Sequence, residues 1–574
     1  METIPGVFFD QAARLAERPH LTYFRDGAWQ TVTWAETATR ARRIACGLIA
    51  AGLAPGEHVA LMSENRVEWL WCDLAILAAG GVTVPIYPSL TPAVAGYIAA
   101  DSNTRFAIVS NEKLASKLEG HDVPSRIFRM DVDVPRWIDQ PPADSLEAEL
   151  DERLAGIDPT KVATVIYTSG TTGEPKGVVL THVHFVQQAR GGLAAFHIGP
   201  DDLVLSYLPY SHILERVDGI FTETMAGCSF QLARSLDTLV EDIHVARPTV
   251  MLGVPRVFEK VYEAVFDQVH HQPAYKRAIF AWSLGIGAAR LRGKPGPWMR
   301  LRVRIADRLV LRSLRERLTG GRLRFFISGG APLNEKVEEF FWSIGVKILQ
   351  GWGLTEATSA VTSNTEELHR YRSVGVPLPG FELKLASDGE ILVHGPCVMV
   401  GYNNRPEDTD AVIENGWLKT GDMGFLDRDG FLTITDRKKD LIKTAGGKYV
   451  APLPIESQLE NDRYVKAALV VGDQRPYVVA LLVPDWDALR AEFGVDGEVR
   501  SLTADGGLHA RYARTVDQVN SGLASFETVK YFALLPRDFS EAEGELTPTL
   551  KKKRRVIAQH FGREIDALYA AHRR

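Results

Sequence analysis

Eleven residues constrain this chain more than any other stretch: Tyr167-Thr168-Ser169-Gly170-Thr171-Thr172-Gly173-Glu174-Pro175-Lys176-Gly177. An apolar run (162–167) precedes them and a second (178–180) follows, so the segment reads as a loop joining two short strands. Gly170, Gly173 and Gly177 open backbone angles closed to other residues, and the hydroxyl and amide groups between them can converge on one side. Such a loop wraps a polyanion, and Lys176 adds a fixed positive charge. The string differs from the P-loop of nucleoside triphosphatases, in which Gly-Lys-Ser/Thr opens a helix, because here Lys176 is followed by Gly177 and a strand. An ordinary Ser/Gly/Thr surface turn accounts for neither its length nor its closing Pro-Lys-Gly.

The flanking sequence supplies a frame for such a loop. Residues 59–62, 82–87 and 106–109 read as strands, and 66–79 and 91–100 as helices. That alternation predicts a parallel sheet with covering helices. It resumes after the loop, with strands at 203–208 and 249–254 and helices at 213–225 and 258–269. In open α/β sheets ligands gather at the carboxyl ends of strands, and the polar motifs of this chain follow expected strands.

The first is Leu208-Pro209-Tyr210-Ser211-His212-Ile213-Leu214-Glu215-Arg216; read alone, its His212 is a capping or core-edge histidine. Next, Arg324 to Ile327 runs into Ser328-Gly329-Gly330-Ala331, a turn that lets a flat ring or a chain approach the backbone closely. Gln350-Gly351-Trp352-Gly353-Leu354-Thr355-Glu356 follows an expected strand at 346–349. Thr355 can donate to a phosphate oxygen, and Glu356 is a hard oxygen ligand of the kind Mg²⁺ takes. Residues 381–435 are strand-rich, with a Ser-Asp-Gly hairpin signal, and include Asp422, a carboxylate suited to a diol. The charged run Asp436-Arg437-Lys438-Lys439-Asp440 reads as a solvated interdomain linker. Beyond it come strands at 467–471 and 478–483, further helices, and a basic run, 551–555, that composition alone leaves as a solvated segment or a nuclear or lipid signal.

Taken together, these motifs identify a family. Thr168 to Gly177 resembles the signature loop of the acyl-adenylate-forming superfamily, which includes acyl-CoA synthetases, luciferases and peptide-synthetase adenylation domains. The later motifs, ending in Leu546-Thr547-Pro548-Thr549-Leu550-Lys551, are similar to those of its long-chain fatty acyl-CoA synthetase branch, in the same order, from about Glu57 onward. The resemblance implies an α/β fold. A large N-terminal domain of α/β sheets with a β-rich subdomain would span 1–435. A hinge at 436–440, with Lys439 as pivot, would precede a small mobile α+β C-terminal domain at 441–574. It also implies an AMP-forming ligase that activates a long-chain fatty acid with MgATP and passes the acyl group to CoA.

The roles it implies are specific. Thr168, Ser169, Gly170, Thr171, Thr172, Gly173 and Lys176 would hold the phosphates, with Thr168 and Glu356 on Mg²⁺. Ser328, Gly329, Gly330, Ala331, Gly351, Trp352, Gly353 and Thr355 would contact ATP or AMP, and Asp422 and Arg437 the ribose. His212, Met251, Val254 and Gly330 would line the acyl site, although Met251 and Val254 read equally well as plain core. Lys443, Gly446 and Gly447 would face CoA, and Lys551 would be the adenylation lysine. Trp352 stands where the family usually has Tyr; either ring offers adenine a flat face. Tyr449 stands where Asn is common, and Lys552 where a small residue is usual, which leaves the catalytic lysine open between Lys551 and Lys552.

Composition narrows the setting. A net charge of −6 gives no general reason to bind nucleic acid. Cys46, Cys72, Cys228 and Cys397 show no paired spacing, which suits core thiols in a reducing cytosol. The N-terminus lacks the layout of a signal peptide, and the best apolar stretch, 74–86, is broken by Gly80, Gly81 and Pro85, so it reads as a helix end and a buried strand. Arg300, Arg304, Arg308, Arg312 and Arg315 recur at helical spacing against Leu301, Ile305, Leu309, Leu314 and Leu318. The plain expectation is a solvated face on a surface helix; the sharper one is peripheral contact with anionic lipid at the inner membrane face. Three other functions share parts of the pattern. An adenylating enzyme with a non-CoA acceptor is separated by CoA-dependent AMP release. A fatty acyl-AMP ligase lacks support because its diagnostic insertion is not apparent. A lipid-binding protein leaves the Thr/Gly/Lys loop, Glu356 and Lys551 without a purpose.

Overall fold

The computed structural model describes residues 2–168, 174–291, 296–493, 506–547 and 551–570. The chain divides into two compact units. The first comprises Met1–Lys384, Leu392–Lys419 and Arg428–Leu432; the second comprises Leu385–Ile391, Thr420–Asp427 and Thr433–Arg574.

Two sheets organise the first unit. One has seven strands in the order Gly401–Tyr402, Lys176–Thr181, Val162–Thr168, Val82–Ile86, His58–Met62, Thr104–Val109, Arg126–Arg129. From Val162–Thr168 outward its pairs are parallel, as the helix–strand alternation predicts, and Val162–Thr168 turns back antiparallel into Lys176–Thr181. The other has nine strands, with Leu203–Ser206, Val250–Gly253, Phe325–Ser328 and Lys347–Leu354 as consecutive parallel neighbours at its centre.

Helices Trp34–Ala50 and Val67–Ala78 share one core with residues of both sheets, including Leu21, Val204 and Phe230 from one and Val59, Leu61 and Phe106 from the other. Val67–Ala78 is apolar nearly all round, which suits a helix covered on every side. Trp34–Ala50 starts at a capping box, Thr33 and Glu36 each satisfying the other's backbone N–H. All four cysteines are free and buried. Among the described residues no helix is long and apolar enough to cross a membrane.

The second unit carries a three-stranded sheet in which Val478–Pro484 pairs antiparallel with Val465–Val471 and parallel with Val529–Leu534, matching the two strands expected there. Helices Pro452–Leu459 and Gly506–Asn520 cover one face and Arg554–His560 and Gly562–Ala570 the other.

Three sequence expectations are corrected. The helix expected over 213–225 opens as a π-helix, Leu214–Phe221, before becoming α at Thr222–Ala226. Its wide turns direct consecutive polar residues into the interior: Glu215 onto Ser206, Arg216 onto Asp73 and Thr164, and Asp218 onto Ser359 and Gln188. The strand expected to stop at 349 runs on through Leu354, because its far half pairs antiparallel with Ser359–Ser363 once its parallel neighbour ends. The helix after Pro297 does not bury Leu301, Ile305 and Leu309, which are 48%, 44% and 59% exposed. Met299, Val303, Ala306 and Val310 face the core instead, and Arg315 is tied to Asp307 and the Ile344 carbonyl.

Candidate active site

Antiparallel pairing sets Thr168 directly opposite Lys176 across the base of the loop. Ser169, Gly170, Thr171, Thr172 and Gly173 lie outside the described residues. A Cβ on Gly177 would stand 2.7 Å from Val165 Cγ1 and 2.9 Å from Tyr167 Cζ, so only glycine lets the returning strand pass so close. Arg405 fixes the loop's exit, donating to the Glu174 carboxylate at 3.0 Å and to the Tyr97 hydroxyl at 2.9 Å.

Lys176 and Glu356 meet at a residue that sequence reasoning missed. Tyr402 is paired with Val178, next to the loop's exit; the Lys176 ammonium lies 5.2 Å from the Tyr402 ring centroid, and the Tyr402 hydroxyl donates to Glu356 Oε1 at 2.9 Å. Burial and the Glu356 carboxylate both push the Tyr402 phenol up, so it stays a donor at neutral pH. Asp408, also missed, takes Lys176 Nζ at 2.7 Å, and that bond holds its carboxyl below the usual range.

Glu356 sits on a single 3₁₀ turn, Thr355–Ala357. The two residues after it are in the left-handed region without being glycine, Thr358 at φ 58° and Ser359 at φ 95°. Such angles cost about 1–3 kcal/mol each and persist only where neighbours over-determine them. Here the Thr358 hydroxyl donates to the Cys397 carbonyl at 2.6 Å, the Ser359 hydroxyl donates to Asp218, and Met399 N–H donates to the Glu356 carbonyl at 2.8 Å.

Just upstream, Trp352 is only 9% exposed and opposes Thr362, while Gly353 is exposed; a Cβ on Gly353 would fall 1.7 Å from the Ser359 carbonyl oxygen. A Cβ on Gly351 would stand 3.0 Å from the Thr362 carbonyl oxygen, tighter than an ordinary contact. At the end of the neighbouring strand Ser328 Oγ is buried without a hydrogen-bond partner among the described residues. After Gly329 the chain turns at Gly330 (φ 83°), and Gly330 and Ala331 are exposed.

His212 Nδ1 accepts the Leu214 N–H at 3.1 Å, which fits the capping reading. Met251 is fully buried in the core and Val254 half-buried at the strand's end.

The second unit brings together a further set. Asp422, 4% exposed, receives Arg437 Nε at 3.1 Å. Thr420, Gly421, Arg437, Lys438 and Lys439 line a depression of ≈ 260 Å³. The run 436–440 is not uniformly a solvated linker. Asp436 is buried and accepts the Arg437 and Leu453 N–H groups, burial pushing its carboxyl up to about 6, and Lys438 bridges Asp388 and Glu390 at 2.7 Å each. Lys443 and the exposed Tyr449 face each other across a short hairpin that turns through Gly446 and Gly447, the latter at φ 74°.

The two C-terminal lysines differ sharply. Leu546 and Lys552 form a bridge, inside which Thr547 N–H donates to the Lys551 carbonyl at 2.9 Å and Lys551 N–H to Thr547 Oγ1 at 3.0 Å. Lys551 is exposed. Lys552 points inward, donating to Glu460 and the Ala468 carbonyl at 2.7 Å and to Glu456 at 3.2 Å. Arg554 adds a two-pronged contact to the same Glu456, at 2.7 and 2.9 Å. Although burial opposes it, Lys552 and Arg554 hold the Glu456 carboxyl below its usual range. A residue so committed is structural, which leaves Lys551 as the candidate catalytic lysine.

Comparison with known proteins decides the family. A model described as "AMP-binding enzyme" matches residues 8–403, and one described as "AMP-binding enzyme C-terminal domain" matches 439–573. The chain belongs to the AMP-binding enzyme family. Among members of this family, the long-chain-fatty-acid–CoA ligase FadD15 of Mycobacterium bovis is 38% identical over 95% of this chain and 93% of its own, and such relatives put the chain in the fatty acyl-CoA synthetase branch. Solved structures of family members share the fold. An anthranilate–CoA ligase, AuaEII, in complex with anthranoyl-AMP superposes with a TM-score of 0.74 at 19% identity, over 99% of this chain and 98% of that one. O-succinylbenzoate–CoA synthetase from Bacillus subtilis, in complex with ATP and magnesium, gives 0.70 at 24% identity, over 96% and 98%.

Proposed function

We propose that the chain is a long-chain fatty acid–CoA ligase working through an acyl-adenylate. The observation that carries this reading is the convergence of Lys176, its ladder partner Thr168 and Glu356 around Tyr402. Joining a carboxylate to a thiol is uphill, so the carboxylate first attacks the α-phosphorus of ATP and pyrophosphate leaves. The CoA thiol then attacks the acyl carbonyl and AMP leaves.

The first step brings an anion onto a polyanion. Lys176 moves from Asp408 to the phosphates, the loop's N–H groups and Lys551 face the reacting phosphoryl oxygens, and each offsets charge where it builds. Glu356 and Thr168 offer the hard oxygen donors that would hold Mg²⁺ arriving with the triphosphate, where the cation would offset phosphate charge. Gly351, Gly353, Ser328, Gly329, Gly330, Ala331, Thr355 and Trp352 form the nucleotide and acyl walls, and His212, Met251 and Val254 the acyl side. A buried Ser328 hydroxyl with no hydrogen-bond partner among the described residues is what such a wall requires. Asp422 takes the ribose diol with Arg437. Lys439 is the pivot between the half-reactions, 436–440 the hinge between domains of 1–435 and 441–574, and Lys443, Gly446 and Gly447 the CoA side. The substrate partitions into lipid, so this reading also has the chain work in peripheral contact with anionic membrane.

The test is product analysis across a ladder of fatty acids with ATP and CoA. AMP, pyrophosphate and acyl-CoA in equal amounts, with the best rates on long chains, are expected. ADP release, or AMP release without thioester, would overturn the proposal.

A further inference from the structure

The helix Ala274–Leu291 and the helix that runs from Pro297–Ala306 through a π turn, Asp307–Leu311, into Arg312–Thr319 pack side by side over one core. Phe280 and Ile286 from the first, and Met299, Val303, Ala306 and Val310 from the second, face that core. The second helix carries another apolar stripe turned away from that core, and the first helix an exposed apolar row that runs into the core at Ile286. On the first, Tyr275, Ile279 and Trp282 follow one another at i, i+4 and i+7; on the second, Trp298, Leu301, Ile305 and Leu309 follow at i, i+3, i+7 and i+11. All seven are exposed, Trp298 to 80%. Both rows are exposed over these residues, on two helices packed side by side.

Basic residues dominate the charge around these stripes, and the one acid within the span of the second, Asp307, is paired with Arg315. From residue 274 to 306 the sequence holds eight basic residues, Lys276, Arg277, Arg290, Arg292, Lys294, Arg300, Arg302 and Arg304, and no acidic one, in a chain whose net charge is −6. Around the helix circumference Arg302 lies on one side of the Trp298–Leu309 stripe and Arg304 and Arg308 on the other, and all three are exposed. Exposed tryptophan and branched aliphatics rimmed by arginine are the composition of a surface that settles at the boundary between headgroups and acyl chains. A second copy of the chain does not fit, since a two-fold contact would set like charge against like.

We propose that the exposed face of this helix pair docks on an anionic lipid bilayer. Trp298, Leu301, Ile305 and Leu309 enter the headgroup–acyl boundary, and Arg302, Arg304 and Arg308 pair with lipid phosphates. This deepens the reading of a lipid-dissolved substrate and rests on it for its purpose, but the test separates the two. Flotation of the full chain with vesicles of phosphatidylcholine, with and without phosphatidylglycerol, is measured at low and high salt. So are two variants, Trp298→Ser/Leu301→Ser/Ile305→Ser/Leu309→Ser and Arg302→Glu/Arg304→Glu/Arg308→Glu. Acyl-CoA formation from an acid soluble in water reports on the enzyme reading alone.

Wild type is expected to float with the anionic vesicles and to be released by salt. Each variant should bind them at least about tenfold more weakly while keeping wild-type melting temperature and wild-type turnover of the soluble acid. Variants that float like wild type, or equal binding to neutral vesicles at high salt, would overturn the proposal. A wild-type dimer that both variants dissociate would overturn it in favour of a second copy. Loss of turnover in wild type itself would count against the ligase reading and leave the flotation result standing.

Discussion

Lys551 and Lys552 are adjacent in sequence and opposite in situation, and two substitutions separate their roles. Lys551→Ala should reduce adenylate formation by at least about a hundredfold while supplied acyl-adenylate is still converted to thioester; equal loss of both half-reactions would contradict this. Lys552→Ala removes one of the two cations that neutralise the buried Glu456, with Arg554 still in place, and should appear first as a lower melting temperature. Glu356→Ala should suppress pyrophosphate exchange, and Trp352→Ala should raise the ATP requirement; an unchanged ATP dependence would remove Trp352 from the adenine site. Glu356 could be named from its own string, whose residues already suggest phosphate and a cation, whereas Lys551 and Trp352 were legible only through motifs that resemble the family's. Tyr402 and Asp408 could be named by neither route. They reach Lys176 through the pairing of Gly401–Tyr402 with the strand Lys176–Thr181, more than two hundred positions earlier, and no local signal marks them.

The π-helix Leu214–Phe221 supports the site from beneath. Its Asp218 accepts the Ser359 hydroxyl and so helps hold the strained pair that follows Glu356, and its Glu215 is buried against Ser206. Burial pushes the Glu215 carboxyl up to about 8 and that of Asp218 up to about 6. A raised carboxyl pKa means the folded state keeps a proton the unfolded chain has lost, so the associated stability is full at low pH and falls as pH rises toward the folded value. Above pH 6.5 the buried His20, His182 and His184, held neutral by burial, add no further slope. Glu223, whose carboxyl burial also raises, loses stability in the same direction, and between pH 6.5 and 8 Glu215 adds a slope of up to about 1.4 kcal/mol per pH unit. Glu215→Gln should flatten that slope in denaturant titrations; an unchanged slope would show that Glu215 is ionised in the fold. The order of helices and strands was legible because burial imposes periods of 3.6 and 2 on the sequence. The π turns and the extension of Lys347–Leu354 were not, since both depend on partners distant in the chain. Gly353 marks the extension, and Gly353→Ala should destabilise by about 1–3 kcal/mol or more, because its Cβ would meet backbone that cannot retreat.

Across the whole molecule the candidate site residues are divided between two units. Thr168, Lys176 and Glu356 belong to the first, and Asp422, Arg437, Gly446 and Lys551 to the second. On the proposed scheme the two half-reactions draw on different faces of the second unit, with Lys439 as pivot. Within its own unit a Cβ on Gly446 meets nothing closer than Thr444 Oγ1 at 3.9 Å, so Gly446→Trp should fold normally, form adenylate and fail to pass it to CoA. The central claim is that this chain makes a carboxylate reactive by joining it to AMP before any thiol takes part. It is tested most directly by exchange of labelled pyrophosphate into ATP in the presence of a long-chain fatty acid, first without CoA and then with it. The account predicts fatty-acid-dependent exchange with no CoA present, and conversion of the accumulated adenylate to acyl-CoA when CoA is added. Exchange that requires CoA from the outset, or none with any acid in the ladder, would contradict it.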